Sequence, residues 1–277
     1  MRPSLSPAPS AAAVCPNPES GCTGVLIINA DDWGRDRANT DRTRECVQRR
    51  TVSSVSAMVF MEDSERAADV ARDHGIDAGL HLNFTAPFLA PPGHSGLVEH
   101  QRRLSNYLLR HRYAQVVFHP GLRNSFEYVV LTQLEEFCRL YGTAPGRLDG
   151  HHHQHLCANV LLGRLLPAGT IVRRNFTFRP GQKKLWNRLY RQGVDGILAR
   201  RHRLTDCLFS LPPLDPSRLQ RIFNLARQSV LELETHPVNP DEYRFLMGGE
   251  ILRQAGNLQI ASGFAMPESR RVGDTNR

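Results

Sequence analysis

Val25-Leu-Ile-Ile28 places four branched aliphatic residues in a row, a pattern that suits a strand covered on both faces and not one lying half in water. Strands of that kind belong to parallel sheets, which need a crossover helix between successive strands. The rest of the chain keeps to this scheme. A polar helix is expected over 36–49, a second strand over 53–60, and a helix over 62–74 with Ala67, Ala68, Val70 and Ala71 as its apolar stripe and Gly75 as its C-cap. A third strand, 77–84, alternates Leu80, Leu82 and Phe84 with His81 and Asn83. A Pro/Gly-rich loop spans 85–96, followed by a helix over 124–140 with Leu131, Leu134, Phe137 and Cys138 inward. Later strands are expected at 148–155, 170–178 and 230–235, with helices near 182–201 and 216–229. The candidate chemistry falls at or near strand ends, as in an α/β (β/α) barrel of the TIM-like kind, whose sites gather at the C-terminal rim. The pattern does not fix the number of strands at eight.

Length and composition permit one α/β domain, read as 23–262, between flexible tails at 1–22 and 263–277. No apolar run approaches the roughly 18 residues that span a bilayer. The longest apolar run near the start, Ala11 to Val14, is shorter than a secretory core of about 7 to 15 residues, so the expected location is cytoplasmic. Six cysteines, at 15, 22, 46, 138, 157 and 207, include no Cys-x-x-Cys pair and read as reduced thiols. The net charge is +8, and the stretch from Arg173 to Arg203 carries ten Lys or Arg against one acid, Asp195. Such a block can meet nucleic acid, an anionic membrane surface or a phosphorylated substrate; a solvated basic face or an oligomer contact is the simpler explanation. No nucleic-acid module is legible, so no nucleic-acid partner is expected. Peripheral contact with an anionic surface through 173–203, and a homodimer, stay open.

The chemistry concentrates in Leu148-Asp-Gly-His-His-His-Gln-His155, where Asp149, His151, His153 and His155 recur at every second position. In an extended strand they share one face, a set of groups too polar to bury without partners. Asp31-Asp32 at the end of the first strand offers one carboxylate for a cation and one for a base, although Asp-Asp before Trp33-Gly34 is also a reasonable turn. His81 points away from an apolar strand face, and His236 follows the strand at 230–235. Asp and His ligands together suit zinc or another divalent cation, and three protein ligands leave a position open for chemistry.

These segments, Asn29-Ala-Asp-Asp-Trp-Gly34, Gly79-Leu-His-Leu82, the histidine run and Thr235-His-Pro237, resemble in identity and order the YdjC-like carbohydrate deacetylases. The resemblance runs from about residue 24 to 250. It implies a distorted (β/α) barrel, one divalent metal ion (Mg or Zn) and removal of N-acetyl groups from an amino sugar, an N-acetylated oligosaccharide or a glycolipid. Carried over, it implies Asp32, His81 and His151 as metal ligands, Asp31 as the base and His236 as the acid. His153, His155, Asp149 and Arg173 are grouped as substrate-facing or supporting residues. Trp33, Gly150 and Val238 stand where the family commonly has Phe, Ser or Thr, and Gly. Two other readings are weighed: a metal- or glycan-binding relic of the same fold without turnover, and a metal-dependent phosphoesterase drawing on the basic stretch.

Overall fold

The expected buried strand forms β1 (Val25–Trp33), whose residues beyond Val25 are all buried. In the computed structural model, which describes residues 24–264 apart from 90–94, 112 and 179–180, six more strands join it. They are β2 (Ser54–Ala57), β3 (Ala78–Leu82), β4 (Arg147–Gly150), β5 (Ile171–Val172), β6 (Cys207–Ser210) and β7 (Val230–Thr235). The sheet is parallel throughout, in the order β5-β4-β3-β2-β1-β7-β6. It curls into a distorted barrel. Its two edges meet through a few bonds instead of a full ladder: Val172 N–H to the Arg203 carbonyl at 2.9 Å, and Thr177 N–H to the Leu208 carbonyl at 2.9 Å.

Helices α1 (Arg37–Gln48), α2 (Ser64–His74), α3 (Ser95–Arg110), α4 (Arg123–Tyr141), α5 (Ala158–Leu162), α6 (Leu185–Ala199), α7 (Pro216–Ala226), α8 (Pro240–Met247) and α9 (Glu250–Ala255) fill the crossovers and follow the last strand. None is long and apolar enough to cross a membrane among the described residues. Asp36 caps α1 by accepting from the Asn39 N–H, and Gly75 ends α2 in the left-handed conformation, φ 62°, as expected of a C-cap. Described cysteines 46, 138, 157 and 207 are free thiols.

Several expectations need correction. The histidine strand ends at Gly150: His151–Leu156 is a 3-10 turn, with His152 and His153 at φ 54° and 55°. The inward face of α4 is Phe126, Val129, Val130, Gln133, Phe137 and Leu140, while Leu131 and Cys138 are exposed. Both faces of this helix carry apolar side chains, so periodicity alone could not choose between them. The strand expected at 170–178 holds only two ladder residues, and α3, α5, α8, α9 and β6 were not anticipated. The tail expected at 1–22 lies outside the described residues, as does 265–277. Phe264 packs against Ile27 and Val230.

Inside the barrel, period two sets the layers. Val25, Ile27, Val230 and Ile171 close the N-terminal end with Phe264. Above them the interior turns polar: Glu232, Arg173, Arg147 and Ser54, then Asn29, Glu234, Asp149, His81 and Ser56, then Asp31. Barrel interiors are ordinarily packed with branched aliphatics. Buried charge is costly unless paired, so this interior must be a network. Gly79 lets it close: a Cβ there would lie 2.8 Å from Arg147 Nε.

Candidate active site

The register of β3 on β4 sets His81 beside Asp149, and His81 Nδ1 bonds Asp149 Oδ1 at 2.7 Å. That leaves His81 Nε2 facing the C-terminal rim, 3.4 Å from Asp32 Oδ1. The third group, His151 Nδ1, arrives from the turn after β4 and lies 3.1 Å from the same oxygen. Asp32 reaches this point because β1 breaks register between Ala30 and Trp33 and Asp32 takes φ 62°. A left-handed aspartate is uncommon and carries strain of order 1–2 kcal/mol, the mark of a residue held for its side chain. Arg35 takes the other oxygen at 2.9 Å.

Three ligand atoms, one each from Asp32, His81 and His151, lie within 4.8 Å of one another. Asp32 Oδ1 is buried, and the two imidazole nitrogens are its neighbours there. Burial opposes ionisation of Asp32, but bonds to His151 and His81 outweigh it and hold the carboxyl well below its ordinary range. Burial likewise opposes charge on His81, yet Asp31 and Asp149, together with the Asp149 and Asp32 bonds, raise it to about 10. The carboxylates thus favour a positive charge at that ring, and a divalent ion can supply it in place of the proton. One carboxylate oxygen and two imidazoles, one of them oriented from behind by a carboxylate, fit such an ion.

Asp31, the neighbouring residue, turns the other way and is held by Arg173, with Nη1 to Oδ2 at 2.6 Å and Nη2 to Oδ1 at 2.7 Å. Asn29 donates to Asp31 Oδ1 at 2.9 Å. Arg173 also meets Asp149 at 3.1 Å, Glu232 at 2.8 Å and Glu234 at 3.3 Å. Ser56 donates to Asp149 Oδ2. Burial and the surrounding carboxylates raise Glu232 to about 7 even beside Arg173. His236, half-buried, brings a ring nitrogen within 4.8 Å of oxygens of Asp31 and Glu234, and its backbone N–H donates to Glu242 at 2.8 Å. Asp31 and His236 therefore face a common space next to the Asp32–His81–His151 cluster.

The remaining sequence candidates separate. His153 Nε2 is 3.3 Å from Glu234 and its ring packs edge-on against Phe176, at a partly open position. His155 is wholly buried and donates Nε2–H to the Arg173 carbonyl at 2.9 Å, so it holds the backbone just after β5, a supporting position. Gly150 makes room for it: a Cβ there would lie 3.0 Å from the His155 backbone nitrogen. Glu232, Glu234, Ser56 and Arg147 also join this network, with no role expected for them from the sequence, and so does Asn29 from the Asn29–Gly34 segment. The alternation of Leu and Glu in Val230–Thr235 was the available signal for the two glutamates.

Burial lowers the His155 imidazole from 6.5 to about 3. A base with a depressed folded pKa takes up its proton in the unfolded chain first, so its contribution is full above pH 6.5 and drains away as pH falls toward 3. His155→Ala should cost about 1–3 kcal/mol at neutral pH, since it strips a buried carbonyl of its donor. Denaturant unfolding at pH 7 and pH 5 checks this: the gap between wild type and variant should narrow on acidification, and a constant gap would show that His155 is not held neutral.

The sequence profile of the YdjC-like protein family matches residues 25–262. The chain belongs to the YdjC-like family. Among members with assigned names, a chitooligosaccharide deacetylase of Serratia marcescens is 31% identical over 135 residues, 48% of this chain and 51% of the relative. A carbohydrate deacetylase of Mus musculus is 30% identical over 148 residues, 49% of this chain and 44% of the relative. The matched segment therefore spans about half the length of each relative. A crystal structure of a proposed cellobiose-phosphate cleavage protein from Enterococcus faecalis superposes with a TM-score of 0.59 at 18% identity, covering 86% of this chain and 97% of that one. It shares the fold of this family member.

Proposed function

We propose that the protein is a metal-dependent hydrolase that removes N-acetyl groups from an amino sugar. The observation that carries this reading is the convergence of His81 Nε2 and His151 Nδ1 on the buried Asp32 Oδ1, next to an aspartate that Arg173 orients. The Serratia and mouse relatives are named as a chitooligosaccharide deacetylase and a carbohydrate deacetylase, which supports a saccharide carrying acetyl groups as the substrate class.

A divalent ion held by Asp32, His81 and His151 would polarise the acetamide carbonyl and acidify a water molecule. Asp31 accepts that water's proton, its carboxylate plane fixed by the Arg173 fork and Asn29. His236, on the loop after β7, then donates a proton to the departing nitrogen, releasing acetate and a free amine. Glu234, close to both His153 and His236, steadies the positive charge on that side of the site.

The basic stretch does not converge on this site as a phosphate cradle. Arg173 is consumed by carboxylates, and Arg174 pairs with Asp195 at 2.8 Å. This weighs against the phosphoesterase reading. The retained Asp31–Arg173 arrangement weighs against an inactive relic. The experiment is acetate release from N-acetylglucosamine oligosaccharides, where Asp31→Asn should lower the rate by about a hundredfold or more. Phosphomonoester hydrolysis without acetate release, or an unimpaired Asp31→Asn enzyme, would overturn the proposal.

A further inference from the structure

Helix α6 has two apolar sides where one is needed. Val194 and Leu198 face the core and are buried. At about 100° per residue, Leu185, Trp186, Leu189, Tyr190 and Ile197 lie together on another side, and all five are exposed, Trp186 at 81% and Leu185 at 62%. A monomer gains nothing by placing such a stripe in water, and exposed apolar faces of this kind mark interaction surfaces.

The charge beside the stripe says what kind. Lys183 and Lys184 precede the helix, Arg188 lies within it, and Arg200 and Arg201 follow it. The one acid of the region, Asp195, is turned inward and spent on Arg174 and Asn175. An apolar face with Trp and Tyr, rimmed by Lys and Arg, is the composition of a helix lying in a bilayer interface, with aromatic rings at the headgroups and cations on anionic lipid. A second copy fits poorly: a twofold contact would set Lys183 and Lys184 against Arg200 and Arg201 if the helices run antiparallel, or against their own copies if parallel, and Asp195 is already spent.

The surroundings agree. The α6 start adjoins an apolar cavity of about 530 Å³ lined by Phe176, Phe178, Gln182, Phe209, Pro212 and Ile222. Lys183 and Arg191 sit over the Phe178 ring at 5.2 and 5.1 Å, and Phe176 touches His153 at the edge of the candidate site. We propose that α6 docks this protein on an anionic membrane surface, with the candidate active site opening beside the docked face.

The test uses the full chain and large vesicles of phosphatidylcholine, alone or with about a third phosphatidylglycerol, at about 0.1 M salt. The protein should sediment with the anionic vesicles, at least about tenfold more weakly with the neutral ones, and detach as salt rises. The chain has two tryptophans and Trp33 is fully buried, so a blue shift of emission on vesicles reports Trp186. Trp186→Glu should abolish the shift and weaken binding about tenfold or more; Lys183→Glu combined with Lys184→Glu should weaken it comparably. Both sets of variants lie on the surface and should keep the wild-type melting temperature. Absence of sedimentation, equal binding to both vesicle types, or wild-type binding by Trp186→Glu overturns the proposal. Light scattering that shows a dimer dissociated by Trp186→Glu, without vesicle binding, would assign the face to a second copy. Binding to polyglutamate as tight as to anionic vesicles would assign it to an acidic polypeptide.

Discussion

Replacing Arg173 with methionine is expected to cost the fold about 3–5 kcal/mol at neutral pH. The side chain is fully enclosed and pairs with Asp31, Asp149, Glu232 and Glu234. Methionine fills much the same space but leaves four buried carboxylates with little beyond Arg147 and His81 to balance them. Breaking one side of such a network is far more damaging than replacing the whole network with apolar residues. The sign of the pH dependence separates this account from simple loss of packing. Carboxylates deprived of Arg173 hold their protons in the fold more tightly than in the unfolded chain, so their folded pKa values rise. Groups of that kind contribute stability that is present at low pH and lost as pH climbs through the raised folded values. Glu232, already near 7 with Arg173 present, shows how far burial pushes. The melting temperature of the methionine variant should therefore fall between pH 5 and pH 8 relative to wild type; a parallel offset at all pH values would point to packing. Arg173→Lys keeps a charge but cannot grip both oxygens of Asp31. It should recover much of the stability and little of the activity.

How much of this was legible beforehand depended on the range over which each signal acts. The β1 run and its Asp31-Asp32 terminus were readable because four aliphatics and a turn are local signals. His81 was readable from alternation with Leu80 and Leu82. The histidine run misled because a period of two describes a strand only while the chain remains one. At Gly150 the strand stops, and His152 and His153 take left-handed backbone angles. The result distributes the run: His151 to the Asp32 cluster, His153 to Glu234, His155 beneath Arg173. Arg173 shows the opposite limit. In sequence it opens a basic block, and its carboxylate partners come from three other strands, Asp149 on β4, Asp31 on β1, and Glu232 and Glu234 on β7. Glu232 and Glu234 alternate with leucines, the usual sign of a strand with one face in water, but here the polar face lines the barrel. Alternation specifies two faces; it does not say which medium each one meets.

Asp32→Asn is expected to abolish metal retention and reduce hydrolysis by about three orders of magnitude or more. Asparagine tolerates the left-handed backbone at this position, so the change tests the charge and not the turn. Purified wild-type protein should carry close to one divalent ion per chain by elemental analysis, and Asp32→Asn very little. A reading independent of activity follows from mass action: an ion that binds only the folded state, held at about a hundred times its Kd, adds about 2.7 kcal/mol. Chelation should therefore lower the melting temperature of the wild type and leave that of Asp32→Asn unchanged. Asp149→Asn offers a graded case, since the residue touches the ring of His81 and not the ligand cluster itself. Losing a carboxylate behind a ligating imidazole typically weakens metal affinity about 10- to 100-fold. The order wild type, Asp149→Asn, Asp32→Asn in metal affinity would place the ion at His81 Nε2, on the side away from Asp149. Full metal content in Asp32→Asn would instead move the ion to Asp31, together with Glu234 and His236 or with His81 and Asp149, and would remove the assignment of Asp31 as the base.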